Sequence, residues 1–277
     1  FDSRMATYLG VTGRSELAEL AEQYKHLVTA DPEVEANPEQ YYDQIVEINL
    51  SELEPHITGP HSPDRARPIS ELAAEIKEND FPEVVSAALV GSCTNSSYED
   101  MSRCADLAQQ AVDKGIKAAT PFLVTPGSEQ VRATIERDGQ QAALENIGAT
   151  VLANACGPCI GQWRRNEGSD GTPNAIVTSY NRNFPKRNDG HVGTMNFISS
   201  PEIALAMSLS GKLSFNPLVD TITAPDGSEV KLDPPKPAPE IPANGFEQGV
   251  SYFVEPPEDG SDVEVNIDPN STRLEIL

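Results

Sequence analysis

Short apolar segments that stop at a glycine and run at once into a helix signal restrict this chain to an α/β fold. The clearest is Val84–Val90 (VVSAALV), ended by Gly91 and followed by the helical pattern of Tyr98–Lys114, which stops at Gly115. The alternation continues. Phe122–Thr125 reads as a strand, Ser128–Arg137 and Gln140–Asn146 as helices, and Thr150–Ala153 and Ala175–Ser179 as strands. Pro201–Ser210 is a helix that ends at Gly211. Ile69–Lys77 and Ser15–Val28 also have helical spacing, Ala30–Gln40 reads as a loop, and Tyr42–Leu50 alternates weakly as a strand would. Strands and helices in this order predict three-layer domains with a mostly parallel sheet flanked by helices.

Proline marks both sides of that core. Pro55, Pro60, Pro63 and Pro68 punctuate a linker before it. After Asn216 the chain turns rich in Pro, Asp and Glu, with short β-like pieces at Thr221–Thr223, Val230–Leu232 and Val263–Ile267, and reads as an extended tail or linker. No apolar run is long enough to span a bilayer. The chain opens at Phe1 with no basic-then-apolar leader, and the expectation is an internal fragment or a processed product.

The net charge is −23 over 277 residues. So acidic a surface repels phosphate backbones, and nucleic acid is not an expected partner. A carboxylate ligand would be repelled too, so a site for one must be locally basic.

Four cysteines are too few for a disulfide scaffold. Cys93 lies in Gly91-Ser92-Cys93-Thr94-Asn95, straight after the strongest strand. Cys156 and Cys159 lie in Asn154-Ala155-Cys156-Gly157-Pro158-Cys159-Ile160-Gly161, again after a strand. Ligands in open α/β sheets bind beyond the carboxyl ends of strands, where glycine and a helix N-terminus favour an anion or a thiolate. Three thiolates suit a soft metal. A closed zinc site or an all-cysteine [4Fe–4S] cluster wants a fourth ligand, and Cys104, in mid-helix, reads as a buried small residue. A three-cysteine zinc site completed by His61 or His191 stays open, and so does a Cys-Gly-Pro-Cys redox dithiol. Trp163 follows the motif, however, and the dithiol leaves the Gly91–Ser96 turn unexplained.

Ser179-Tyr180-Asn181-Arg182-Asn183-Phe184-Pro185-Lys186-Arg187-Asn188-Asp189 follows another strand. Guanidinium forks grip carboxylates, so Arg182 and Arg187 are candidates for anion binding. Arg164 and Arg165 read as surface or supporting residues.

Together these stretches resemble the aconitase family. The match rests on GSCTNSSYEDM from Gly91, ANACGPCIGQW from Ala153, SYNRNF from Ser179 with Arg187-Asn188-Asp189, TPGSEQVRAT from Thr125 and EINLS from Glu47. It runs from about Arg4 to Asp220 and more loosely to Leu277. The resemblance implies a [4Fe–4S] cluster on Cys93, Cys156 and Cys159, an orienting role for Asn181, and substrate carboxylates on Arg182 and Arg187. It implies a hydro-lyase that interconverts citrate and isocitrate through cis-aconitate, in the mitochondrial matrix or alternatively the cytoplasm.

It also implies a division of the chain. Residues 1–63 would end the family's second domain and its linker, residues 64–216 would form the cluster-binding domain, and residues 217–277 would lead towards a swivelling domain. The family's catalytic serine and acid pair match nothing here, so the isolated chain is expected to be inactive without the remaining aconitase domains. Pro185-Lys186 and the short loop after Asn188 depart from the family pattern. A homoaconitase-like enzyme acting on homocitrate, and a non-catalytic module derived from the family, are the alternatives.

Overall fold

The computed structural model describes residues 1–251, 253–262, 264, 268 and 270. Among them the chain forms helices α1 (Ser3–Val11), α2 (Ser15–Gln23) and α3 (Pro32–Ala36), then strands β1 (His56–Thr58) and β2 (Ala66–Pro68) and helix α4 (Ile69–Asn79). β3 (Val85–Gly91), α5 (Tyr98–Asp113), β4 (Phe122–Thr125), α6 (Glu129–Asp138), α7 (Gln140–Asn146) and β5 (Ala149–Val151) follow. β6 (Asn174–Thr178), β7 (Thr194–Ile198), α8 (Pro201–Ser210) and a small hairpin of β8 (Ile222–Thr223) and β9 (Glu229–Val230) complete it.

The seven-stranded sheet has the order β2-β1-β7-β6-β3-β4-β5. β7, β6, β3, β4 and β5 run parallel, and β1 is antiparallel to both β2 and β7. This is the expected α/β class with a mostly parallel sheet. The proline-punctuated segment read as a linker instead supplies the antiparallel edge, where each strand needs only three residues. Residues 42–49 make no strand, and α3 occupies part of the expected acidic loop. Of Val263–Ile267, only Glu264 is among the described residues.

Local chemistry explains the longest elements. α5 starts at a capping box, in which Ser97 Oγ accepts from the Asp100 amide and the Asp100 carboxylate accepts from the Ser97 amide. Its buried stripe is Met101, Cys104, Leu107, Ala108 and Ala111. α8 is apolar almost all round because it lies between α5 and β3. Ser200 Oγ caps its start and Gly211, left-handed at φ 70°, ends it.

The two faces of the sheet are covered differently. Val85, Ala88, Val90, Phe122, Val124, Ala175, Val177 and Phe197 join one large core with the helices. Ala87, Leu89 and Ile176, on the opposite face, meet Cys159 and Tyr180, with Leu123 and Trp163 beside them. The handedness of parallel crossovers accounts for this. β3 to β4 to β5 advances one way, with its helices on one face. β5 to β6 to β7 advances the other way, so its connections, residues 152–173 and 179–193, return over the other face. These two connections are the cysteine-pair loop and the arginine loop. After β9 the chain runs along α5 and α6, where Asp233 meets Gln110 and the Glu247 amide donates to Thr134 Oγ1 at 2.9 Å.

Candidate cluster and substrate site

The strand order reverses between β3 and β6, and a switch point of this kind opens a crevice at the carboxyl ends of the strands. Gly91–Ser97 leaves β3 there and Ser179–Asn181 leaves β6. Gly91 has φ 109° and Ser92 φ 67°, a left-handed pair that turns the chain sharply off the strand. For Ser92 that conformation is strained, and such strain gathers at functional sites. Three hydrogen bonds hold the turn: the Ser92 amide to Thr125 O at 2.9 Å, the Gly91 amide to Ser179 Oγ at 2.9 Å, and Asn95 Nδ2 to Ser179 O at 2.6 Å. The hydroxyl of Ser96 also donates back to Ser92 O.

Asn181 lies between two of the predicted ligands. Its Oδ1 is 4.0 Å from Cys159 Sγ, and its Nδ2 donates to Thr94 Oγ1 at 3.0 Å. Thr94 Oγ1 is in turn 3.7 Å from Cys93 Sγ. The structure therefore links Cys93 to Cys159 through Asn181, although 66 positions separate them in the chain (159 − 93). Cys156 precedes the short 3₁₀ turn Gly157–Ile160, at whose start the Cys159 amide donates to Cys156 O at 2.8 Å. All four cysteines are free thiols, with Cys93 and Cys156 exposed and Cys159 buried. Burial, reinforced by the nearby Cys159, pushes the Tyr180 hydroxyl well above the usual tyrosine range.

The chemistry of this donor set fits an iron–sulfur cluster: two exposed thiols and one buried thiol, with the buried Ser92 Oγ beside Cys93 in the chain lacking a partner. It does not fit a single zinc ion. Among the described residues no three His, Cys, Asp or Glu converge closely enough to hold one metal ion. A cluster several ångströms across spreads its thiolates wider than one ion does. The dithiol reading lacks its usual support, because the Cys-Gly-Pro-Cys turn does not open a long helix whose dipole would stabilise a thiolate. Cys104 is fully buried in α5, and burial pushes its thiol up, as expected for an inert core residue.

Arg182 and Arg187 follow Asn181. The Arg182 guanidinium donates to Asn181 O at 2.7 Å, and the Arg187 guanidinium lies 5.2 Å from the centroid of Phe184. Among the described residues no carboxylate pairs with either, in a chain with 43 Asp and Glu against 20 Lys and Arg. Among the described residues most other arginines pair with a carboxylate.

Of the two readings of Arg165, surface or supporting, the surface one is corrected. Its side chain is 7% exposed, and it pairs at 2.8 Å with Asp189, which is 0% exposed. The surface reading holds for Arg164. Nothing in the local sequence separates these adjacent arginines; only the crossover that carries Arg165 back over the sheet does.

These features define an α/β protein in which Cys93, Asn181 and Cys159 meet at a sheet switch point, with Arg182 donating to Asn181 O. The aconitase family (aconitate hydratase) profile matches residues 1–211, and the chain belongs to that family. It is 50% identical over 277 residues to a probable mitochondrial aconitate hydratase of Dictyostelium discoideum, covering 100% of this chain and 35% of that protein. It is 52% identical over 277 residues to a probable mitochondrial aconitate hydratase of Caenorhabditis elegans, covering 100% of this chain and 34% of that protein. It is also 50% identical over 274 residues to a mitochondrial homocitrate dehydratase of Saccharomyces cerevisiae, covering 98% of this chain and 34% of that protein. The chain thus spans about a third of the length of the curated relatives it matches. The family uses an iron–sulfur cluster.

Proposed function

We propose that this chain is the cluster-binding part of an aconitate hydratase, a hydro-lyase that interconverts citrate and isocitrate through cis-aconitate in the mitochondrial matrix. The observation that carries this reading is the Cys93–Thr94–Asn181–Cys159 linkage with the unpaired Arg182 and Arg187 beside it. Cys93, Cys156 and Cys159 hold a [4Fe–4S] cluster, and Asn181 orients it or the substrate. When bound, the cluster supplies a Lewis-acidic iron without a protein ligand, which polarises the hydroxyl that leaves. Arg182 and Arg187 grip substrate carboxylates, overcoming the repulsion of an acidic protein and fixing which carbon faces the cluster. The base and acid that move the protons come from the remaining domains. In this division residues 1–63 end a preceding domain, 64–216 bind the cluster, and 217–277 lead to a following one.

Anaerobic reconstitution of the chain with iron and sulfide should give the broad visible absorbance of a cluster, and the loaded chain should show negligible turnover of cis-aconitate. A colourless protein that takes up only zinc would overturn the reading, and robust turnover would overturn the assignment of acid and base to other domains. Arg187→Met should weaken tricarboxylate binding to the cluster-loaded full-length enzyme by about 2–4 kcal/mol, as loss of one partner of a desolvated charge pair does. Calorimetric titration with citrate checks this, and an unchanged affinity would remove Arg187 from the site.

The second reading is a homocitrate-specific hydro-lyase, favoured by the equal identity to the yeast homocitrate dehydratase. Comparing citrate and homocitrate turnover by the full-length enzyme separates the two.

A further inference from the structure

We infer that Arg165, anchored by Asp189, is a positioning residue that locks the loop of Cys156 and Cys159 to the loop of Asn181, Arg182 and Arg187. The inference rests on the function proposed above, because it concerns the spacing between those cluster ligands and those carboxylate-binding arginines.

The two loops are separate crossovers on the same sheet face, and the first is tied to a helix at its start, where Asn154 Nδ2 donates to Glu129 Oε2 of α6 at 2.7 Å. Arg165 fastens both. Its Nε donates to Asp189 Oδ2 at 2.8 Å, within the arginine loop. One terminal nitrogen donates to Ser86 Oγ at 2.9 Å, at the start of β3. The other donates to Asn174 Oδ1 and, at 3.1 Å, to Thr194 Oγ1, the first residues of β6 and β7. The planar fork thus spans three strand starts and one loop, an arrangement a lysine cannot reproduce. Its flat face lies 4.8 Å from the Trp163 ring centroid, and Trp163 packs on the apolar cluster containing Cys159.

The backbone of Arg165 is engaged as well, since its carbonyl accepts from His191 Nε2 at 3.1 Å. Asp189 accepts from Thr194 Oγ1 at 2.7 Å and from the His191 amide at 2.9 Å, so both its oxygens are used. Two further contacts lace the loops at the motif itself. Asn188 Nδ2 donates to Pro158 O at 3.1 Å, inside Cys-Gly-Pro-Cys. A Cβ on Gly161 would lie 3.1 Å from Arg187 O. One residue separates Asp189 from Arg187 and one, Ile160, separates Cys159 from that glycine, so a shift at the ion pair is passed on to both groups.

Thiol labelling tests this without a cluster. In the cluster-free 277-residue chain, iodoacetamide should modify Cys93 and Cys156 quickly and Cys159 slowly, while Cys104, fully buried in α5, reports global unfolding. In Arg165→Lys and in Asp189→Asn, Cys159 labelling should rise at least about tenfold with Cys104 still protected, because one anchored contact of this kind controls roughly 10–100-fold effects at metal sites. Asp189→Asn preserves shape and keeps one oxygen to accept from the His191 amide, while its NH2 replaces the oxygen that accepts from Arg165 and Thr194, so it carries the test if the arginine variant unfolds. An unchanged Cys159, or Cys159 and Cys104 rising together, would mean that the pair only stabilises the fold. In the cluster-loaded full-length enzyme both variants should raise KM for cis-aconitate about tenfold with a smaller change in kcat. Failure of the wild-type protein to load a cluster would defeat the proposed function while leaving the labelling result to stand on its own.

Discussion

Cys93→Ser should abolish cluster uptake without unfolding the protein. Cys93 is exposed, and its sulfur makes one contact among the described residues, to Thr94 Oγ1 at 3.7 Å. Almost no packing is lost when the sulfur is replaced. A serine hydroxyl does not ionise near neutral pH and offers iron no soft donor. The loss should therefore exceed the roughly 10–100-fold typical of changes behind the ligand shell. Visible absorbance per chain after anaerobic reconstitution is the readout, with thermal unfolding as the check on fold. Cys156→Ser should behave alike. Cys104→Ala is the contrasting case: it should cost about 1 kcal/mol for a small cavity in α5 and leave the absorbance intact. A Cys93→Ser protein that retains its colour, or a Cys104→Ala protein that loses it, would reassign the ligands.

Gly91→Ala should be the most destabilising single-atom addition at the site. Gly91 pairs with Thr125 across β3 and β4. A Cβ built there falls 2.0 Å from Thr125 O and 2.8 Å from Thr125 C, both backbone atoms of a buried parallel strand. Neither can swing away as a side-chain end could, so the strands must part. The residue also holds φ 109°, which L-residues rarely adopt. Strain of about 1–3 kcal/mol and the lost strand contact together should lower stability by about 3 kcal/mol or more. For a chain of this size that is on the order of 5–10 °C in Tm. Cluster uptake should fall too, because Cys93 is two residues further on. Gly139→Ala separates the two causes: Gly139 has φ 92° but nothing within 4 Å of the added Cβ. It should cost only about 1 kcal/mol, the left-handed penalty alone. Equal losses in the two variants would show that the clash at Thr125 relaxes freely.

Much of the architecture was legible from periodicity and punctuation. β4, α7 and α8 have the boundaries expected from their residues, and β3, β5, β6, α5 and α6 differ by a residue or two at their ends. These elements carry their own stop signals, such as Gly115 and Gly211, or a cap such as Ser97. β1, β2 and β7 were missed for a common reason. Thr194–Ile198 and the two three-residue edge strands have too little apolar pattern to announce themselves, and become strands because a neighbour supplies the hydrogen bonds. Tyr42–Leu50 errs the other way, with alternation but no partner strand.

At the candidate site, residue chemistry was legible and assembly was not. Three thiols and two arginines can be read off the chain because their side-chain chemistry is local to each residue: soft donors for a metal, forks for a carboxylate. Their placement after strands follows from the same apolar runs that form the sheet. What the sequence could not decide is which loops share a face. That follows from strand order and crossover handedness, which bring residues 152–173 and 179–193 back over one side of the sheet. Only then does Asn181 stand between Cys93 and Cys159, and only then does one of two adjacent arginines become the buried tie between the loops. Arg164 and Arg165 are chemically identical, and their difference is one of burial and partners, which are properties of the folded chain alone.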